Sequence, residues 1–314
     1  MEIRKLSANE FKDVFSNPYH VFNRFEYNDL NALLKGVEIN CLGFKNKKYK
    51  LGIIGVIDEG KFRSPFSAPF GGFSYAREEV SLQSIDEAID LFIEYCSSNS
   101  IKEIELTLPP FFYDMSFLSK LSNALFRREF VLAKSDLNYS IHLPTTLEDY
   151  ISTLHYNARK NLDIALTKNF RFYQCFTSEE KEMAYEVIKK NREERGFPLR
   201  LSFETILKTI DIISADFFIT ELDNMAVAGA MVFHVSKDIV QVVYWGDLPK
   251  YSIHKTMNYL SYSIVCHYQS TSVRIIDIGP STENSIPNYG LCDFKESIGC
   301  EVFPKYSYTK FINL

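Results

Sequence analysis

The residue best suited to chemistry in this chain is Asp277, an aspartate inside an otherwise apolar segment. It stands between Ile276 and Ile278 in a β-rich stretch that ends at Gly279-Pro280. A buried carboxylate is costly unless it is hydrogen bonded, paired or used. Asp277 therefore has two interpretations. It accepts hydrogen bonds from the loop at residues 281–284, or it is a catalytic group that accepts a proton, directly or through water.

Lys295 is the second candidate catalytic residue. It belongs to the segment Leu291-Cys-Asp-Phe-Lys-Glu-Ser-Ile-Gly299, for which we predict a short helix. The fold predicted below brings this helix within reach of the strand end after Asp277. A lysine ammonium there could stabilise a developing oxyanion or a phosphate group of a bound cofactor.

The elements that must position these two residues lie between Asp216 and Ile278. Apolar β-rich stretches at 216–223, 226–235 and 239–245 predict two hairpin strands and a third strand. The period then changes to that of a helix over 253–265, and 273–278 is again a strand. A strand, a helix and a strand joined in this way form a right-handed parallel crossover. Ligands of such units lie at the carboxyl ends of the strands.

Six residues near that edge are candidates for binding a cofactor. Two of them end the third strand, and the others stand where the crossover helix begins, where the helix dipole favours anions. The side chains that end the strand suit a core as well as a site, and the histidine suits the surface as well. The candidates are Tyr244, Trp245, Ser252, His254, Lys255 and Thr256.

A basic stretch on the predicted helices suggests a place for phosphates. Basic residues outnumber acidic ones between 159 and 200, and Arg159, Lys160 and Arg195 could hold phosphates of a donor or an acceptor. Glu283, in the loop after the last strand of the crossover, is a fourth candidate substrate-binding residue. The alternative is that the charges are simply solvated helix faces.

The first part of the chain repeats this order of elements. We predict strands at 37–44, 49–57 and 63–75, a helix at 84–96, a strand at 101–108, a helix at 115–127 and a strand at 130–143. A long helix at 146–168, a strand at 170–176 and helices at 178–195 and 202–213 link the two parts. The repeat predicts two domains, residues 1–145 and 146–314.

Composition limits the other classes of function. The chain has 314 residues, of which 46% are hydrophobic and 24% charged, and a net charge of -5, which argues against DNA as a partner. Its six cysteines and six histidines form no Cys-x-x-Cys or His-x-x-x-His pattern, so we expect buried free thiols and no metal. No run approaches the ~18 apolar residues of a membrane span, and the first residues lack the apolar core of a signal peptide. A cytoplasmic protein without membrane insertion is therefore expected.

The order hairpin, strand, crossover helix, strand, helix, strand resembles the GNAT acyltransferase fold, and its duplication resembles the FemAB-like branch of twin GNAT domains. Three stretches carry the likeness: Tyr156-Asn-Ala-Arg-Lys-Asn-Leu-Asp-Ile-Ala165, Asn191-Arg-Glu-Glu-Arg-Gly196, and Ile276-Asp-Ile-Gly-Pro280 with its Phe294-Lys295 helix. The resemblance implies an α/β (α+β) fold of two tandem GNAT-like domains. Each would have a mixed, mostly antiparallel sheet with a parallel crossover strand, flanked by helices.

The resemblance also implies an N-acyltransferase. The donor would be acetyl-CoA or another acyl-CoA, and the acceptor a small-molecule amine such as an amino sugar or an amino acid. Transfer of this kind needs a neutral amine, a group that stabilises the oxyanion, and positioning of both reactants. Residues 146–314 would hold the transfer site with Asp277 and Lys295. Residues 1–145 would be degenerate, with a structural or acceptor-binding role.

Two other functions remain open. The basic stretch 159–200 favours an aminoacyl-tRNA-dependent transferase of the FemAB type, in which case tRNA is a partner. The segment Tyr251-Ser-Ile-His-Lys-Thr-Met257 has no glycine where the GNAT pyrophosphate loop has them. This favours a non-catalytic binding or scaffold protein on the same fold. The sequence does not indicate an oligomeric state.

Overall fold

The computed structural model describes residues 1–77, 80–199 and 201–312, which form two compact units. The N-terminal unit consists of Met1–Leu137, Asn284–Ile286 and Pro304–Leu314. The C-terminal unit consists of Asn138–Glu283 and Pro287–Phe303. Each unit therefore contains segments that are far apart along the chain.

The N-terminal unit is built around one mixed sheet. Its elements are β1 (Glu2–Lys5), α1 (Ala8–Val14), a 3-10 helix (Val21–Asn23), α2 (Phe25–Lys35), β2 (Ile39–Lys45), β3 (Tyr49–Asp58), β4 (Lys61–Ser64), β5 (Phe73–Tyr75), α3 (Leu82–Ser98), β6 (Glu103–Thr107), a 3-10 helix (Phe111–Tyr113) and α4 (Met115–Arg127). The strand order is β1, β2, β3, β4, β6, with β5 also on β3, and β4 and β6 run parallel. Residues 307–311 of the last strand of the chain pair antiparallel with β6.

The C-terminal unit also has mostly antiparallel strands with one parallel pair. Three of the elements named next, at 131–142, 286–287 and 301–311, include residues of the N-terminal unit as well. The elements are β7 (Val131–His142), α5 (Leu147–Thr153), α6 (Tyr156–Leu166), β8 (Phe170–Gln174), α7 (Ser178–Glu194), α8 (Phe203–Ile210), β9 (Ala215–Leu222), β10 (Met225–His234), β11 (Ile239–Asp247), a 3-10 helix (Pro249–His254), α9 (Thr256–Gln269), β12 (Ile275–Pro280), β13 (Thr282–Glu283), β14 (Ile286–Pro287), α10 (Tyr289–Ser297) and β15 (Glu301–Phe311). The strand order is β7, β12, β11, β10, β9, β8, and β11 and β12 are the parallel pair.

The two units share one order of elements. In the first, β2, β3 and β4 are antiparallel neighbours, α3 follows, and β6 returns parallel to β4. In the second, β9, β10 and β11 are antiparallel neighbours, α9 follows, and β12 returns parallel to β11. Ile104 and Ile276 lie on the two return strands. The predicted fold class, with one parallel crossover among the mostly antiparallel strands of each unit, is confirmed.

Local sequence explains how several turns and helices of the C-terminal unit form. Asp223 and Asn224 both have positive φ, 52° and 63°, which suits the tight turn between β9 and β10. Thr177 and Glu180 form a capping box at the start of α7. The core between sheet and helices includes Val240, Leu260 and Ile276, each almost fully buried.

Three predicted elements need correction. The helix predicted over 146–168 is two helices, because Leu154 is extended and the N–H of His155 donates to the carbonyl of Ser297 at 3.0 Å. The strand predicted over 63–75 is the two strands β4 and β5, since Pro65 lacks the N–H that a continuing strand would need. The crossover α-helix begins at Thr256 rather than Ile253, after a 3-10 helix.

Candidate functional site

The parallel ladder between β11 and β12 is short. It joins Ile239 to Ile275, Val240 to Ile276 and Gln241 to Asp277. Beyond that last pair β11 continues to Asp247 along β10, and β12 continues to Pro280 along β7. Within the residues that the structure describes, the two strands therefore separate after Gln241 and Asp277. We call this opening the fork; its arms are residues 242–247 of β11 and 278–280 of β12.

A β-bulge bends each arm of the fork where it leaves the ladder. On β11, Tyr244 pairs with Met231 and Val242 with Val232, so Val243 is the extra residue. On β12, the register against β7 shifts between Asp277 and Gly279. Gly279 has φ +73°, a conformation that glycine adopts without strain. Bulges bend and twist a strand, which accounts for the separation of the two arms.

Asp277 lies at the base of the fork and is fully buried. Its Oδ1 accepts hydrogen bonds from Asn138 Nδ2 at 2.7 Å and from the N–H of Gly279 at 2.8 Å. Its Oδ2 accepts one from Gln241 Nε2 at 2.7 Å. These short bonds offset the cost of burying the carboxylate. These three donors come from β7, β11 and β12 itself.

Lys295 reaches the same strand end from α10, as the sequence predicted. Its side chain is 2% exposed. The Nζ donates to the carbonyls of Ile278, Gly279 and Pro280 at 3.0, 2.9 and 3.0 Å, and lies 5.3 Å from the ring centroid of Tyr139. An ammonium has three donors, and these three successive carbonyls can accept one each. The sequence thus predicted the position of Lys295 correctly, and its catalytic role stays a prediction.

Tyr139 and Glu296 belong to this end of β12 and were missed at the sequence level. The Tyr139 hydroxyl donates to Glu296 Oε1 at 3.1 Å. Burial raises the pKa of Tyr139, and the neighbouring Cys292 and Glu296 raise it further. Nothing in the sequence marks Tyr139, because its register against β12 depends on a long-range strand pairing. Cys292 is buried as expected, as are three other cysteines, whereas Cys266 and Cys300 are only partly buried.

The six candidate donor-binding residues lie on consecutive elements that begin at the fork. Tyr244 and Trp245 are half-buried on β11; the Arg192 guanidinium lies over the Tyr244 ring at 5.3 Å, and Trp245 contacts Phe294. Ser252 and His254 lie on the 3-10 helix, and Lys255 has φ +62° before α9 begins. Thr256 is fully buried and its Oγ1 donates to the carbonyl of Tyr251 at 2.8 Å.

The four candidate substrate-binding residues are spread over the C-terminal unit. Arg159 and Lys160 are exposed on α6, where Arg159 Nη2 donates to the carbonyl of Ser152 at 3.2 Å. Glu283 is exposed on β13. Arg195 follows the end of α7, and its Nη2 lies 3.9 Å from Oδ1 of Asp247, the last residue of β11. Arg195 is thereby joined to the fork.

Asp247 is a further buried carboxylate that sequence reasoning missed. It is 2% exposed, and burial raises its pKa although the Arg195 charge opposes this. In the sequence it stands between Gly246 and Leu248-Pro249, where an aspartate is typical of a turn. The side chain therefore gave no sign of its burial.

Within residues 1–77, 80–199 and 201–312, no group of three or more His, Cys, Asp or Glu side chains could hold a metal ion. The helices of these ranges are all too short or too polar to cross a membrane.

Comparison with known proteins gives likeness in structure and none in sequence. No family model matches the chain, and no curated protein does. The structure of FemX superposes with a TM-score of 0.72 at 10% identity, covering 100% of this chain and 98% of that one. The C-terminal domain of a lysylphosphatidylglycerol synthetase from Agrobacterium fabrum gives 0.60 at 12%, covering 96% and 92%. A tandem GNAT protein from the clavulanic acid biosynthesis pathway gives 0.55 at 9%, covering 100% and 99%. The chain therefore shares its fold with these structures, one of which is a tandem GNAT protein.

Proposed function

We propose that this chain is an acyltransferase that moves an acyl group from an activated donor to the amine of a small acceptor. The fork carries the proposal. Among the strands that the structure describes, residues 242–247 of β11 pair with β10 on one side and with no strand on the other. An extended ligand can add to such an edge through main-chain hydrogen bonds. The amide groups of an acyl-CoA would suit this edge.

In the N-terminal unit the corresponding strand is divided into β4 and β5, and among the strands that the structure describes β5 pairs with β3 alone. There β4 is paired with β6 over its whole length, Lys61–Ser64 with residues 103–106. The assignment of the transfer site to residues 146–314, and of a degenerate, structural or acceptor-binding role to residues 1–145, therefore rests on Asp277 and Lys295, which lie in the C-terminal unit.

In the proposed reaction the acceptor nitrogen attacks the carbonyl carbon of the donor and forms a tetrahedral intermediate. The carbon–sulfur or carbon–oxygen bond to the donor then breaks, and the leaving sulfur or oxygen takes up a proton from water. Asp277 accepts the proton of the amine, directly or through water. Lys295 stabilises the oxyanion or a donor phosphate. The hydrogen bonds of both side chains support a second role, which is to hold the bend of β12.

Two donors are in competition. The name of the similar tandem GNAT structure specifies a form without AcCoA, which indicates that AcCoA is a ligand of that protein. This favours acetyl-CoA or another acyl-CoA as the donor here. The likeness to a lysylphosphatidylglycerol synthetase domain, together with the basic stretch 159–200, favours an aminoacyl donor, and tRNA would then be a partner. A cytoplasmic location stays a prediction.

Thermal shift separates these donors. A ligand at ~100 times its Kd adds about 2.7 kcal/mol to the free energy of unfolding. We expect acetyl-CoA, a longer acyl-CoA or an aminoacyl-tRNA to raise the melting temperature. A shift with acyl-CoA alone supports the thioester donor, and a shift with the tRNA alone supports the aminoacyl donor. If no donor shifts the melting temperature, the transferase proposal fails in favour of a non-catalytic scaffold.

A further inference from the structure

Asp247 ends the longer arm of the fork and has an incompletely paired carboxylate. Its Oδ1 makes no hydrogen bond to any residue that the structure describes. Among the residues that the structure describes, Arg195 forms an ion pair with it: Nη2 lies 3.9 Å from Oδ1, which is too far for a hydrogen bond. Burying a carboxylate with so weak a partner is unfavourable. A ligand that brings a closer donor would relieve the cost.

The backbone around Asp247 is held in place by α7. Asn191 Nδ2 donates to the carbonyl of Asp247 at 2.6 Å. A Cβ atom added at Gly246 would lie 2.5 Å from Asn191 Cγ, so α7 packs directly on this strand. The backbone that carries the Asp247 carboxylate is therefore held in one position, and such preorganisation favours ligand binding.

Arg195, in contrast, can move. Its side chain is 61% exposed, and it stands at the end of α7 directly before Gly196, which has φ +77°. The neighbouring Arg192 differs, because its guanidinium lies over the Tyr244 ring. An exposed arginine at 3.9 Å from a buried carboxylate is easily displaced by a cation that binds closer.

We propose, resting on the function proposed above, that Asp247 binds an ammonium group of the acceptor other than the amine that is acylated, and that the Arg195 guanidinium occupies the position of this ammonium in the free protein. An ammonium can donate directly to Oδ1 and brings the charge that the carboxylate lacks. A hydroxyl in the same position can donate but brings no charge. Asp247 is thus a specificity residue that selects amines over alcohols at the arm of the fork that borders the donor edge.

Calorimetric titration of the full chain, without donor, tests this with matched probes. D-glucosamine is compared with D-glucose, and L-lysine with 6-hydroxy-L-norleucine. We expect at least one amine to bind 10-fold or more tightly than its hydroxyl partner. Asp247→Asn, of the same shape, should abolish the preference. Arg195→Gln should tighten amine binding several-fold, and being an exposed change it leaves the fold intact. Arg171→Gln is the control. Arg171 lies on β8, is 70% exposed, and its Nε lies 3.5 Å from Oε2 of Glu221 on β9.

The proposal is overturned if neither amine binds, if the wild type does not distinguish amine from alcohol, or if Asp247→Asn keeps the preference. The result is separable from the transferase proposal, because donor binding is measured independently by thermal shift. Amine selectivity without any donor shift would refute transfer and leave the amine site standing. A donor-induced thermal shift without amine selectivity would refute the amine site at Asp247 and leave the transferase proposal standing.

Discussion

Asp277 and Lys295 bind opposite groups of the same residue: Asp277 Oδ1 accepts the N–H of Gly279 at 2.8 Å, and Lys295 Nζ donates to the Gly279 carbonyl at 2.9 Å. Gly279 is the left-handed residue at the bend of β12. The two charged side chains thus stabilise the bend that opens the fork. Any catalytic role for either residue is combined with this structural one, and the first predictions separate the two.

Asp277→Asn should lower turnover by ~100-fold or more, the scale of a lost general base. Because all three partners of Asp277 are donors, we expect the free energy of unfolding to fall by ~1–3 kcal/mol as well. Turnover is measured per folded protein. Asp216→Asn is the control, because Asp216 also accepts from a side-chain donor at each oxygen, Gln174 and Tyr268, but lies outside the fork. Equal turnover in the wild type and in folded Asp277→Asn would reduce Asp277 to a structural contact.

Lys295→Ala should also lower turnover by ~100-fold, the loss expected when a group that stabilises the oxyanion is removed. The variant leaves three buried carbonyls without their donor, so we expect the free energy of unfolding to fall by ~1–3 kcal/mol as well. Denaturant unfolding gives the second quantity and sets the folded fraction for the first. A folded fraction with full activity would show that Lys295 serves the fold alone.

Gly279→Ala should weaken donor binding by straining the bend. No atom lies within 4 Å of the added Cβ, so the cost is that of the left-handed backbone, ~1–2 kcal/mol. Gly36→Ala is a matched control, since Gly36 has φ +65° with the same open surroundings in the N-terminal unit. Both variants should lose similar stability, and Gly279→Ala alone should reduce the donor-induced thermal shift. Similar donor shifts in both would separate the bend from donor binding.

His20 should make the N-terminal unit sensitive to acid. It is fully buried, and burial lowers its pKa from 6.5 to about 3, with a backbone contact to Gly71 opposing this only in part. The unfolded chain therefore binds the proton between these values and the folded unit does not. Stability from this residue is complete above pH ~6.5 and falls by ~1.4 kcal/mol per pH unit as pH drops toward 3.

Urea unfolding at pH 7, 6 and 5 measures this slope. His20→Gln should flatten it, whereas His155→Gln, at an exposed position on the other unit, should not. Equal slopes in the wild type and in His20→Gln would contradict the assignment.

Periodicity in the sequence was enough to predict most elements, because each amphipathic stretch is decided by its own residues. It failed where a distant partner decides: the break at Leu154 depends on Ser297, and the bonds to Asp277 depend on the pairing of β7 and β11 with β12. The position of Lys295 followed from the resemblance to a known fold. The burial of Asp247 could not be predicted, because a polar residue at the end of a strand has the same local sequence pattern whether it is exposed to solvent or buried.

Hydrogen exchange of the β11 amides tests the central claim most directly. With acetyl-CoA, a longer acyl-CoA and an aminoacyl-tRNA in separate experiments, exchange is followed at residues 242–247 and at the paired strand β4. The account predicts that one donor class slows exchange at 242–247, where an open edge gains partners, and leaves Lys61–Ser64 unchanged. Exchange at 242–247 that no donor slows, or protection confined to β4, would contradict a donor site in the fork.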